Sequence, residues 1–218
     1  MNEIIAVAVI TTLAVISPGP DFAAVTRNSY LYGTRTGLFS ALGIAFGVQL
    51  HVIYTVFGVT LLIMQSPALF TVIKSLGIIY LIWLGFKSFT NKTRISVNST
   101  DNSALSAFGA FRNGFFVNAL NPKTMLFVVS VYTQVISSDN TLMMNFGYGA
   151  FISFAHWLWF SLIALFFSNP VIRNKILSRQ LLADKIIGVL LMLLGISLIF
   201  FTLHSRITPC GQFPAGSS

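Results

Sequence analysis

The chain has 218 residues, 55% of them hydrophobic and 8% charged, with a mean hydropathy of +0.82. Soluble domains carry about 25% charged residues, so this sequence cannot cover a water-facing surface, which excludes a cytosolic enzyme, a secreted module and a disordered tail. The net charge of +8 is spread thinly among apolar runs and builds no basic stripe for nucleic acid, while the lone Cys210 excludes an intrachain disulfide and argues against a thiolate metal site.

Its solvent, and its first partner, is therefore the lipid bilayer. A membrane helix needs about 20 apolar residues, and residues 36–73, 140–172 and 186–205 carry no charge. The first of these runs is too long for one helix and must turn back at Ser66-Pro67. Six spans are predicted, at about 4–26, 37–64, 68–90, 108–136, 142–168 and 184–203. The first reads as a retained span rather than a cleaved signal peptide, because Met1-Asn2-Glu3 offers no basic start and the apolar run continues past Pro20. The polar stretch at about 91–107 reads as a linker and 207–218 as a loose tail. The expectation is one all-α transmembrane domain, 1–206, made of a repeat at about 1–90 and another at about 108–206.

Lys and Arg gather on alternate connections: Arg27 and Arg35 after span one, Lys87 through Arg112 after span three, and Arg173 through Lys185 after span five. The opposite set offers only Arg206 against Glu3 and Asp139. Basic loops face the cytoplasm, so both termini are expected on the outer face.

Span one is interrupted near its cytoplasmic end by Ser17-Pro18-Gly19-Pro20-Asp21, which cannot stay in regular helix. Span four breaks at Asn121-Pro122-Lys123, with Asn placed to cap and Pro to start the next half-helix. These are the first spans of two three-span halves that must run in opposite directions. Pro-broken segments at matching places in inverted halves point to a transporter's binding site. An ionisable residue follows each break, Asp21 and Lys123, and a charge within a span is a functional candidate by default. The plainer alternatives are that Asp21 complements the helix dipole or sits in water, and that Lys123 snorkels or pairs with Asp21 as structural glue.

In span two Ser40, Gly43, Gly47, His51, Tyr54 and Gly58 share one face. Close helix packing is the preferred reading of Gly43 and Gly47, as of Gly77, Gly85, Gly188 and Gly195 in spans three and six. The same face can line a cavity, with His51 either a bonded core imidazole, the favoured reading, or a proton carrier. Lys74 is placed to snorkel, and His156, Trp157 and Trp159 read as bundle packing or an interfacial anchor. No second carboxylate is expected in the membrane beside Asp21. A serine nucleophile elbow, a Walker loop and clustered His are all missing from the sequence, so neither enzyme, ATPase nor cofactor is expected, and energy must come from an ion gradient or the substrate's own.

Together these residues resemble the LysE/RhtB family of small bacterial amino-acid exporters over essentially the whole chain. The resemblance is carried by Ser17-Pro18-Gly19-Pro20-Asp21-Phe22, by Gly43, Gly47 and His51, by Gly77 through Lys87, by Gly114 through Asn121-Pro122-Lys123, and by Trp157 and the glycines of span six. Ser130-Val131-Tyr132 and Asp139-Asn140 look most like the threonine/homoserine efflux branch, whereas many relatives carry Pro before Gln where this chain has Thr133-Gln134. The resemblance implies export of a small neutral amino acid across the bacterial inner membrane, by proton antiport with alternating access. Asp21 would take the ammonium and trade it for a proton, and Lys123 or a half-helix N-terminus would take the carboxylate, with Ser17, Asn121 and Gln134 in the same cavity. Glycine-lined faces allow a homodimer. A cation or metal exporter of the same architecture, and a non-transporting membrane subunit, are the competing readings; few carboxylates and thiols oppose the first, and the doubled breaks oppose the second.

Overall fold

The computed structural model describes residues 3–92, 105–134 and 140–207. Within them the chain is helical, without strands: α1 (Glu3–Ile16), α2 (Pro20–Tyr32), α3 (Thr34–Gln65), α4 (Pro67–Thr90), α5 (Ala107–Ala119), α6 (Pro122–Gln134), α7 (Leu142–Phe167) and α8 (Pro170–Ile207). Half of these helices start on a proline, whose missing N–H is one that a helix start leaves unpaired anyway. The residue before it often caps the new turn. Ser66 Oγ accepts from Leu69 N (3.3 Å), Asn121 Oδ1 from Lys123 N (3.0 Å) and Asn169 Oδ1 from Val171 N (2.9 Å). Between α2 and α3 the chain turns on Gly33 at φ 84° and ψ 172°, a conformation closed to other residues without strain.

Four helices contain stretches long and apolar enough to cross a membrane, within α3, α4, α7 and α8. The pairs α1–α2 and α5–α6 reach the same measure only when their halves are joined, across bends of 55° and 59°, so the spans number four, or up to six. The protein is a membrane protein, built of helices throughout its described elements.

Two boundaries depart from expectation. Helix α2 continues to Tyr32 and carries Arg27, so the first break lies between two half-helices of 14 and 13 residues instead of near one end of a span. Helix α8 begins at Pro170, where residues 173–185 were expected to be a connection; Ile176 and Leu177 on this basic stretch pack onto the Phe22–Phe160–Phe167 core, which holds it in helix. Residues 93–104 of the expected linker and 208–218 of the tail lie outside the described residues.

Helix α3 packs most extensively on α5 and α7, and α4 on α8. Gly43 and Gly47 make the first of these contacts close. A β-carbon on Gly43 would meet Phe111 O, and one on Gly47 would lie 2.8 Å from Asn118 Cβ. Large apolar side chains such as Phe46, Ile79, Phe86 and Phe200 face outward, while Asp21, Asn28, Ser40, Asn118 and Asp184 are buried. That inside-out distribution is what a lipid surround requires.

Candidate functional site

Breaking α1 after Ile16 leaves carbonyls that have no partner in the helix. The side chain of Lys123, from the start of α6, crosses to supply one. Its Nζ donates to Ser17 O (2.5 Å) and Pro18 O (3.3 Å), passing over Gly19, where a β-carbon would come within 3.3 Å of it. Tyr80 on α4 holds the Lys123 carbonyl in turn (3.1 Å).

The reverse crossing is made by Asp21. It sits in the first turn of α2, where the helix dipole favours a carboxylate, and only 6% of its surface is exposed. Its Oδ2 accepts from Asn118 Nδ2 of α5 (2.8 Å) and from Thr124 Oγ1 of α6 (3.3 Å). Its Oδ1 is buried without a partner among the described residues. So each half-helix start sends its charged residue to the end of the other pair's first half-helix. Gly19-Pro20-Asp21 and Asn121-Pro122-Lys123 are matching triplets with opposite charge.

Asn118 is positioned by His51. The Nε2 of His51 meets the Asn118 carbonyl at 2.9 Å, and its Nδ1 bonds Tyr54 OH. A carbonyl only accepts, so Nε2 carries the proton and Nδ1 the lone pair. His51 thus acts one layer behind Asp21 and lines neither cavity described below. Gly43 and Gly47 face α5 rather than open space, because the α5 backbone fills the room their missing side chains leave. Gln134 also departs from the expected cavity. It lies at the far end of α6, where its Nε2 comes within 3.2 Å of a β-carbon built on Gly77 of α4.

Asp21 opens onto a cavity of about 20 Å³ whose wall includes Ser17, Asn121, Lys123, Thr124, Phe127 and His156. That is room for a water molecule or two. His156, 4% exposed, donates from Nδ1 to Ile152 O (2.8 Å), which leaves its Nε2 as an acceptor. Expected as packing or an anchor, it stands in the wall of this cavity instead. Nothing in the local sequence separates the two roles, since both ask for a histidine on the inward face of an apolar helix.

Beyond Lys123 lies a second cavity, of about 370 Å³, bounded by the two breaks, by Tyr80, Trp83 and Lys87 of α4, and by Asp184 of α8. The two cavities share Ser17, Gly19, Asn121 and Lys123. Asp184 corrects the expectation of a single carboxylate. It is 1% exposed within α8, and its Oδ2 accepts from Asn91 Nδ2 (2.7 Å). It escapes a sequence reading because Arg179 and Lys185 flank it and make the segment look like a loop.

The family model for LysE type translocators matches residues 12–201. An uncharacterized membrane protein of Bacillus subtilis, YrhP, is 30% identical over 205 residues, covering 90% of this chain and 98% of its own. A threonine efflux protein of Escherichia coli is 26% identical over 88% of this chain and 95% of its own. A leucine efflux protein of Klebsiella pneumoniae is 32% identical over 56% and 58%. No solved structure matches.

Proposed function

The chain belongs to the family of LysE type translocators, and from that premise we propose that it is a secondary exporter of small neutral amino acids, of the threonine or homoserine kind, driven by proton antiport. It is a transporter and not an enzyme. The observation that carries this reading is the crossed pair at the two breaks, with Lys123 on the freed carbonyls of Ser17 and Pro18 and Asp21 held by Asn118 and Thr124. An inert subunit gains nothing from interrupting two helices and burying a charge at each interruption.

In this reading the two broken pairs head inverted three-span halves. The reciprocal contacts of α2 with α7 and α3 with α6 support that, as does the pairing of α4 with α8 and α3 with α7. The basic connections lie in the cytoplasm and both termini outside the inner membrane. Asp21 alternates between a proton and the substrate ammonium, and its Oδ1, unpartnered among the described residues, is the atom available for either. Lys123 or a half-helix N-terminus receives the carboxylate. The relatives named for threonine and leucine efflux support the substrate class.

The test is efflux from cells preloaded with radiolabelled threonine, with and without the protein, before and after collapse of the proton gradient. Faster efflux that vanishes with the gradient is expected. Asp21→Asn should abolish it while leaving membrane insertion intact, and near-normal export by that variant removes the role given to Asp21.

A further inference from the structure

A groove of about 760 Å³ runs between the last turns of α7 and the first turns of α8 and reaches Pro18 and Phe22 at the first break. Large apolar side chains are exposed along it, Leu162 and Phe166 from α7 and Val171 and Ile172 from α8. Apart from Lys175 and Arg179 its wall is apolar, and no carboxylate stands in it.

The two cations sit just before the apolar span of α8, which begins at Leu181. They share one face with Ile172, Ile176 and Ala183, at three- and four-residue steps. A helix that lies on an apolar surface normally puts its charges on the opposite face, whereas here two exposed cations stand within the apolar stripe. The occupant suited to such a groove is apolar along most of its length and negative at one end. An amino acid is not that occupant, since nothing in the wall answers an ammonium. Nor is a second copy of the chain. Its Glu3 is engaged by Asn140 and Tyr148, and its Asp21 and Asp184 are buried, so among the described residues it offers no exposed carboxylate to these cations.

We infer that this groove holds an anionic phospholipid of the surrounding bilayer, with its phosphate at Lys175 and Arg179 and an acyl chain along Trp159, Leu162 and Phe166. The planar guanidinium of Arg179 can meet two phosphate oxygens at once, and the Lys175 ammonium adds a point charge. Basic pockets between membrane helices take acidic head groups in this way. The acyl chain ends against Phe22 and Pro18, whose carbonyl Lys123 holds, so the lipid reaches the first break itself. The inference stands apart from the exporter reading, because it concerns a lipid and not the cargo.

The experiment reads lipid contact from Trp159. The chain has three tryptophans, so Trp83→Phe with Trp157→Phe leaves Trp159 alone. The purified full chain is placed in phosphatidylcholine vesicles with rising shares of phosphatidylglycerol brominated in its acyl chains, which quench a tryptophan they touch. A parallel series uses brominated phosphatidylcholine. Each cation favours an anionic lipid about fivefold, so phosphatidylglycerol should bind roughly tenfold tighter or more. Lys175→Gln with Arg179→Gln should bring the two lipids within about twofold. Equal quenching by both lipids without that change, or a preference that survives it, overturns the assignment. Trp157, exposed on α7 and outside the groove, should show no such preference when it is the one left; the same preference there would mean general charge attraction and would overturn the groove. Glycerol 3-phosphate, a head group without chains, should not relieve the quenching. Relief would assign the cations to free phosphate and end the lipid reading. Should the tryptophan variants fail to insert, Tm of the wild-type chain in lipid-free detergent gives a second reading. Phosphatidylglycerol should raise it more than phosphatidylcholine does, and the Lys175→Gln, Arg179→Gln chain should melt with wild type until phosphatidylglycerol is added. An equal rise in both chains overturns the proposal.

Discussion

Replacing Lys123 by Met tests the crossed contact most directly. Methionine still fills the space over Gly19 but has no ammonium, so Ser17 O and Pro18 O lose their donor. A hydrogen bond to a charged group contributes about 1.5–3 kcal/mol, and the longer Pro18 contact belongs at or below the lower end. The expected loss is about 2–4 kcal/mol of stability. For a chain of this size each kcal/mol moves Tm by about 2–4 °C, so Tm should fall by about 5–15 °C. The assay is thermal unfolding of the detergent-solubilised full chain by tryptophan fluorescence. Lys175→Met, on an exposed position of α8, is the control and should melt with wild type. Lys123→Arg keeps the charge but brings a broader head to a place already tight against Gly19, and should fall between. A Lys123→Met protein that melts with wild type would refute the reasoning, because it would mean that the carbonyls are served without the lysine.

Asn118→Ala takes one of the two donors from Asp21 and should lower gradient-driven export at least about tenfold, with a stability loss of about 1–3 kcal/mol; unchanged export with unchanged Tm removes Asn118 from the site. Gly33→Ala meets no neighbour, so its whole effect is conformational, about 1–3 kcal/mol, read as a lower Tm. Gly188→Val drives side-chain atoms into Phe89 N and Gly85 O and should lose the monodisperse folded peak on size exclusion, while Gly147→Ala, with open space around it, should not. A Gly188→Val chain that elutes as wild type does would show that α4 and α8 are not held in close contact.

Both breaks were legible because proline chemistry is local. Pro18, Pro20 and Pro122 stop a helix whatever surrounds them, and the charge after each stop stands out in an apolar run. Asn118 was not legible, since it is one amide in the run Phe115-Phe116-Val117-Asn118 and its partner is 97 residues earlier. Gly43 and Gly47 could pack or line a cavity, and only the approach of α5 decides between these. The start of α8 was written in Asn169-Pro170, the same device that opens α6. Arg173, Lys175 and Arg179 give that stretch the look of a loop, although a helix that runs out of the membrane carries charge as readily, and the same basic surroundings conceal Asp184.

The opposite charges at matching positions give the site a direction. Asp21 is favoured by the positive end of its own helix, but Lys123 is opposed by the positive end of α6 and depends on the carbonyls beyond α1. Moving the end of α1 away from the start of α6 would strand an ammonium at a helix N-terminus, an arrangement disfavoured by up to about 2 kcal/mol before the carbonyls are counted. On the proposed reading, a substrate carboxylate beside Lys123 would supply the missing counter-charge while its ammonium goes to Asp21. On that reading substrate would favour the separated arrangement over the closed one, and such differential affinity is what a ligand needs to shift a conformational equilibrium. A molecule with only one of the two charges answers half of the demand. In the transport cycle proposed here, the zwitterion is selected by the movement it makes possible as well as by the pocket that holds it.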